Sequence, residues 1–330
     1  MDWIARFIPT RTSESSQETS QHDLGRRLSK YILPVVFLAW LVFLTVNVPV
    51  FLTWQNLSNV SRQVAVVGLL SLGQLAVILT GNIDLSSASL MGLFGAVLAG
   101  QSKVMPFPIA LAIGLILALI WGFANGFLVT RGKNISVIVT LSTMYIAQGL
   151  LLIYTQGRPV ILFPMPYEFL GIGSVGPFPW SLITFTFVAL ILAYIFRYTP
   201  IGRHVYAVGG NREAARVCGI DVKRLIIGVY VTSAVIASLA GLILLSRVAS
   251  AQPNAGMGME LDSIAAVLIG GASVSGGYGS VPGTIIGVFM LGFINNGLNL
   301  LGVSGYYQYV FKGAIILIAV IVETLQHRGS

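Results

Sequence analysis

Long apolar runs, separated by short polar breaks, constrain this chain more than any other feature. Tyr31 to Phe51 and residues 107–130 each pass without one charged side chain. A helix rises about 1.5 Å per residue, so about 20 such residues cross the roughly 30 Å hydrocarbon layer of a bilayer. Ten stretches qualify: 31–51, 63–80, 85–100, 107–130, 135–154, 180–197, 225–246, 261–274, 281–302 and 308–323. Charged residues make up only 9% of the 330, against about 25% in soluble domains. Such a chain folded in water would expose far too much apolar surface. The expectation is an all-α membrane protein of about ten transmembrane helices.

Charge then orients the spans. The net charge is +8, which in a soluble protein would raise the question of nucleic acid. Here it follows the tendency of Lys and Arg to collect in cytoplasmic loops. With both termini cytoplasmic, the inner segments are 1–30, 81–84, 131–134, 198–224, 275–280 and 324–330. They and the inner edge at Arg197 hold 14 of the 19 Lys and Arg residues. Residues 1–28 are polar, rich in Ser, Gln and Thr, and read as a disordered cytoplasmic tail. The first apolar run is too long for a signal-peptide core. One transmembrane domain, 29–325, fills the rest, with 198–224 as a long cytoplasmic loop inside it. On the opposite side, Phe163 to Trp180 is rich in Pro and aromatic residues and suits a structured loop at the membrane surface. Asp84 opens the third span and Asp262 the eighth, on opposite sides by this alternation. That is the pattern of an inverted repeat relating spans 2–5 to spans 7–10.

Catalytic and cofactor motifs fail on context. Gly171-Ile-Gly173-Ser-Val-Gly176 spells the dinucleotide fingerprint but runs into Pro177 instead of a helix N-terminus. Gly132-Lys133 is followed by Asn134 where a phosphate-binding loop needs Ser or Thr. His22, His204 and His327 lie far apart, so no metal cluster can be argued. Cys218 is the one cysteine and has no partner for an intrachain disulfide.

What remains is polar residues within or beside apolar runs, which are costly in lipid and tend to face a bundle interior or a water-filled path. Gln74, Gln148 and Asn125 lie within spans, and Asn295, Asn296 and Asn299 cluster in the ninth. Asn295 and Asn299 are four residues apart and share a helix face. They can hydrogen-bond a polyol, or only neighbouring helices. Asn82 and Asp84 interrupt apolar sequence in Gly81-Asn-Ile-Asp-Leu-Ser-Ser87; Asp84 suits a helix N-cap, a substrate contact, or both. The glycine-rich stretch Gly270 to Gly287 suits tight turns and close helix packing, or a hinge.

The loop 198–224 is the most informative segment. Asn211 can cap a short helix through about Val217, which Gly219 would end. Ala214, Ala215, Val217 and Ile220 give it a small apolar face, as a surface docking onto a soluble partner would need.

At these residues the chain resembles a known family. Gly209-Gly210-Asn211 with Ala214-Ala215-Arg216 and Gly219-Ile220 is similar to the cytoplasmic loop of the ribose/xylose/galactose permease family of ATP-binding-cassette importers. Ser250 through Pro253 and Gly256 to Asp262, and Asn295-Asn-Gly-Leu-Asn299-Leu-Leu-Gly-Val303 with Tyr306-Tyr307-Gln308, resemble the same family. So does Gly81 to Ser86, with Asn82 where Gly is usual. The resemblance runs from about 35 to 325, and the run 295–308 is nearest to the ribose-transporting members.

The resemblance implies a non-catalytic, homodimeric inner-membrane permease that works with a separate cytoplasmic ATPase and a periplasmic sugar-binding protein. It makes Gly209, Gly210, Asn211, Ala214, Ala215, Arg216, Gly219 and Ile220 the coupling element that meets the ATPase. Gln74, Asn82, Asp84, Asn295, Asn296 and Asn299 are the expected translocation path for a small neutral sugar moved by alternating access. Scarce charge in the spans fits a neutral cargo, and no cofactor, metal or nucleic acid is expected. The alternatives are the same architecture with another sugar, a sugar-like signal or a nucleoside. An ion-driven transporter is the remaining rival, but it would need an ionisable group deep in a span.

Overall fold

The computed structural model describes residues 35–132, 135–162, 167–314 and 317. The expected N-terminal tail at 1–28, both termini, Lys133 with Asn134, the start of the Pro-rich loop at 163–166 and the end of the tenth expected span lie outside the described residues. The elements run α1 (Val35–Asn47), α2 (Trp54–Leu79), α3 (Ser87–Gln101), α4 (Phe107–Val129), α5 (Ser136–Thr155), β1 (Val160–Ile161), α6 (Phe169–Ile172), β2 (Ser174–Val175) and β3 (Phe178–Pro179). They continue with α7 (Trp180–Tyr198), α8 (Pro200–Gly210), α9 (Arg212–Val217), α10 (Val222–Val248), β4 (Ser250–Ala251), α11 (Met259–Ile269) and α12 (Val281–Leu300). Residues 305–314 are helical again. The all-α membrane class stands; the four strands are two-residue pairings, β1 with β4 and β2 with β3, that staple loops.

Among the described residues six helices are long and apolar enough to cross a membrane: α2, α4, α5, α7, α10 and α12. At the first, third and eighth expected spans the described helices, α1, α3 and α11, are shorter. The eighth differs most: α11 has 11 residues, about 16 Å, and stops at Gly270-Gly271, where Gly271 turns with φ 85°. The second begins earlier than its apolar run. Thr53 caps α2 by accepting from Asn56 N, so the polar turn through Gln55, Asn56 and Ser58 joins the helix ahead of its hydrophobic stretch.

The helices divide into a centre and a rim. The apolar window of α2 is 83% buried, those of α4 and α5 only 22% each. Lipid gives no hydrophobic drive between helices, so close packing of small residues takes its place. α10 crosses α2 where Gly73 faces the Ser233 backbone, and meets α4 where a β-carbon on Gly122 would lie 2.7 Å from Val231 Cα. Ile109, Ile116, Ile120 and Phe123 of α4 and Ile138, Tyr145 and Ile153 of α5 point outward, as a lipid-facing rim requires.

Connections gather at two ends. At one, residues 80–86, 209–212 and 273–280 meet, three segments that the charge alternation puts on one side. At the other, residues 156–162 and 167–179 close over 246–251: Leu162 N donates to Ala249 O and Gly171 N to Ser246 Oγ, while Phe107 stacks on Tyr167 at 4.4 Å. The dinucleotide-like glycines fall here, Gly171 in α6, Gly173 just after it and Gly176 in the turn of the β2–β3 hairpin.

Candidate functional site

α2 ends at Leu79, and the chain runs unwound for the seven residues 80–86 before α3, yet alternate residues are buried: Thr80 0%, Asn82 2%, Asp84 3% and Ser86 1% exposed. Backbone polar groups away from water must find partners inside the protein, and side chains from α2, α5, α9 and α10 supply them. Ile83 N donates to Ser136 Oγ, while Ile83 O accepts from Thr140 Oγ1 and Tyr230 OH. The Gln74 side chain, oriented to satisfy both groups, donates to Asp84 O at 2.9 Å and accepts from Asp84 N at 3.2 Å. Thr80 O and Gly81 O accept from Arg212 Nη2, which reaches Asn82 Oδ1 at 2.9 Å as well.

Asp84 does not cap α3 in the expected way. Its Oδ1 accepts from Ser86 N and Ser86 Oγ, and its Oδ2 from Ser233 Oγ at 3.1 Å. The carboxylate thus shapes the turn ahead of the helix, and Ser86, at the N-cap, makes no side-chain cap bond. Asn125 Nδ2 donates to Ser86 Oγ at 2.7 Å and extends the cluster onto α4. Gln74, Asn82 and Asp84 are therefore drawn together, saturated with internal partners.

The same end carries the loop with the family-like motif. The short helix is as expected: Asn211 accepts from Ala214 N at 2.9 Å at the start of α9, and Gly219, with φ 83°, turns the chain after it. Its apolar residues do not form one face. Ala215 is buried in the main core, whereas Val217 is 88% exposed. Pro200 and the Thr199 cap start a further helix, α8, ahead of α9, whose last turn is wedged against the unwound segment. A β-carbon on Gly209 would collide with Leu79 O and Gly277 N, and Gly277 N donates to Leu79 O at 3.0 Å. Tyr206 OH donates to Gly279 O at 2.8 Å, and burial pushes its phenol above the ordinary tyrosine value. Arg212, Tyr206 and Tyr230 belong to this knot, and sequence reasoning assigned them no role. A cation directly after a helix-capping Asn was the available signal for Arg212.

The ninth-span amides lie at the other end and share no hydrogen bond with that cluster. Asn296 and Asn56 exchange hydrogen bonds at 2.8 and 3.0 Å, tying α12 to α2. Asn295 and Asn299 line a cavity of about 300 Å³, together with Arg247, Asp262, Gln308 and Lys312. Lys312 Nζ donates to Asp262 Oδ2 at 2.7 Å, and Gln308 Nε2 to Asn299 Oδ1 at 2.8 Å. Among the described residues no group of three or more His, Cys, Asp or Glu side chains could hold a metal ion.

Comparison with known proteins adds a lineage to this geometry. Residues 56–320 match the family described as branched-chain amino acid transport system / permease component. The chain is 44% identical to the ribose import permease of Bacillus subtilis, over 91% of this chain and 92% of that one. It is 37% identical to the ribose import permease of Haemophilus influenzae, over 93% and 96%. It is 33% identical to the L-arabinose transport system permease of Escherichia coli, over 97% and 98%. No solved structure matches the chain.

Proposed function

This chain belongs to the family of branched-chain amino acid transport system permease components, and from that premise we propose that it is the membrane subunit of an ATP-binding-cassette importer for a ribose-like monosaccharide. The observation that carries the cargo is its 44% identity, over nearly the whole length of both chains, to a ribose import permease. The chain holds no phosphate-binding loop, so ATP hydrolysis belongs to a partner, and a sugar-binding protein delivers cargo to the outer face.

The coupling element is the loop carrying Gly209, Gly210, Asn211, Ala214, Ala215, Arg216, Gly219 and Ile220, within 198–224 of a single permease domain, 29–325. The exposure of Val217 and Ala214 supports contact with a soluble partner there. The burial of Ala215 supports a second task, passing the push inward. Arg212 and the Gly209–Gly277 contact connect this loop to the break after α2. Motion of the loop therefore reaches Asn82, Asp84 and Gln74, the inner part of the path, while Asn295, Asn296 and Asn299 form the outer part.

The proposed assembly is a homodimer with about ten membrane passages per chain, α11 and the α2–α3 break being incomplete ones, and cytoplasmic termini. An inverted repeat relating α2–α5 to α10 and the elements after it agrees with Asp84 and Asp262 at opposite ends of the bundle. Reconstitution with an ATPase and a sugar-binding protein tests the whole reading. ATP-dependent ribose uptake is the expected result; uptake that continues without hydrolysis refutes it. The family description names branched-chain amino acids, so leucine belongs beside ribose in the assay, and leucine uptake without ribose uptake would replace the sugar assignment.

A further inference from the structure

The cavity between α2, α10, α11, α12 and the helical segment 305–314 has a composition that bundle packing does not require. Its volume, about 300 Å³, lies at the lower end of small-molecule sites, about 300–1,000 Å³. Asp262 and Lys312 stand in its wall as a 2.7 Å ion pair, with side chains only 11% and 28% exposed. A largely desolvated pair is seldom worth more to stability than apolar groups of the same shape. Charges at such a position in a membrane bundle mark a functional path by default.

The wall is mixed in sign and rich in both kinds of hydrogen-bonding group. Asp262 only accepts and Lys312 only donates, whereas the amides of Asn295, Asn299 and Gln308 do both. The guanidinium of Arg247, also in the wall, forms no hydrogen bond with any described residue. A cation entering here would meet Arg247 and Lys312, whereas an anion would be drawn to Arg247 but set beside the Asp262 carboxylate that Lys312 already holds. A neutral molecule dense in hydroxyls meets neither penalty and offers each wall group a partner. We infer that this cavity is a receiving subsite for one neutral monosaccharide, where Asp262 accepts from two adjacent hydroxyls and Asn295, Asn299 and Arg247 donate to the others. The inference rests on the transport reading and adds to it a place, a size and a charge class.

The chain's one cysteine, Cys218, is exposed on the inner loop, so Cys218→Ser supplies a thiol-free background. In it, Asn295→Cys is labelled with a membrane-impermeant maleimide in sealed, outward-facing vesicles holding the complete importer. Labelling from the outer side, slowed at least fivefold by millimolar D-ribose but not by ribose 5-phosphate or leucine, is expected. Asp262→Asn, close to isosteric, should raise the protecting ribose concentration about tenfold while unprotected labelling stays fast. Gln63→Trp, on a half-open stretch of the same wall, should block labelling and uptake together. Loss of labelling with undiminished uptake in that variant would overturn the subsite. So would ATP-driven ribose uptake with N295C unprotected, which leaves the transport reading standing. Protection by ribose without any ATP-driven uptake keeps the subsite and overturns the transport reading. Stronger protection by ribose 5-phosphate or leucine overturns the charge class.

Discussion

The two polar regions are built on opposite plans. At the knot where 80–86, 209–212 and 273–280 meet, backbone carbonyls and amides are paired with side chains from other elements, and glycines let three strands of chain touch. At the opposite end, amides and an ion pair line an open cavity, and their partners are mostly each other. On the proposed reading the first arrangement transmits displacement, because a packed, largely hydrogen-bonded cluster moves as a body or not at all. The second can exchange partners at little cost, as a transient site must. A permease that couples to an ATPase at one end and receives cargo at the other needs both, and the contrast predicts where substitutions hurt.

The largest effect is expected at Gly209. In Gly209→Ala the new β-carbon has to displace Leu79 O or Gly277 N, and overpacking of this kind costs about 1–3 kcal/mol. We expect a clear fall in the thermal midpoint of the purified permease and loss of uptake. An unchanged midpoint would mean that the loop is not wedged onto α2. Next is Arg212→Ala, which strands Gly81 O and Asn82 Oδ1 and leaves Thr80 O with only the Asn82 amide at 3.3 Å. Removing a charged donor from buried acceptors costs about 1.5–3 kcal/mol, taken toward the lower end here because Arg212 is half-exposed. Partner ATPase activity should persist while uptake falls. Arg212→Lys should recover only part of the loss, since a point-like ammonium cannot span three acceptors as a planar fork does. Full rescue by Lys would reduce the role of Arg212 to bulk charge.

Much of this knot was visible beforehand, though not its wiring. Apolar runs gave the membrane class and most helix positions, and the Asn211 cap and Gly219 stop gave α9 to within a residue. Charge alternation put the three knot segments on one side. Hydropathy could not show that α11 ends after 11 residues, because Gly270-Gly271 and the apolar stretch beyond read as continued span until turn geometry is known. Nor could it show that Ala215 faces inward and Val217 outward, since four small apolar residues on seven positions fit a face or two sides equally well. Asp84 looked like a helix cap because caps are the usual local use of Asp there; its longer reach, to Ser233 on α10, is a tertiary fact with no local signature. The pairing of Asp262 with Lys312, 50 residues apart, is of the same kind.

A smaller effect should follow Tyr206→Phe, which removes one hydrogen bond, to Gly279 O, for about 1 kcal/mol. The phenol donates only while protonated, and its folded-state value lies above the ordinary 10.0. The contribution is therefore complete below pH 10.0 and is lost as pH rises through the raised value. The thermal midpoints of Y206F and the unaltered chain should differ by the same amount at pH 6 and pH 8. A difference that shrinks between those two values would show that Tyr206 ionises far lower than its burial implies.

The finest test of the contrast sets two asparagines side by side. Asn82 is 2% exposed; its amide donates to Thr80 Oγ1 at 2.9 Å and its oxygen accepts from Arg212. Asn82→Ala leaves both groups without that partner, at about 1–2 kcal/mol. Asn299 is exposed at the cavity rim and accepts from Gln308, whose amide already donates to Val303 O as well and keeps that partner when the bond to Asn299 goes. Asn299→Ala should therefore stay within about 0.5 kcal/mol, as surface changes do. The readouts should cross: N82A lowers the thermal midpoint, whereas N299A leaves it in place and raises the sugar concentration needed for half-maximal uptake. If N299A destabilises the permease as much as N82A, the outer amides are structural braces like the inner ones, and the division into a rigid and an adaptable end fails.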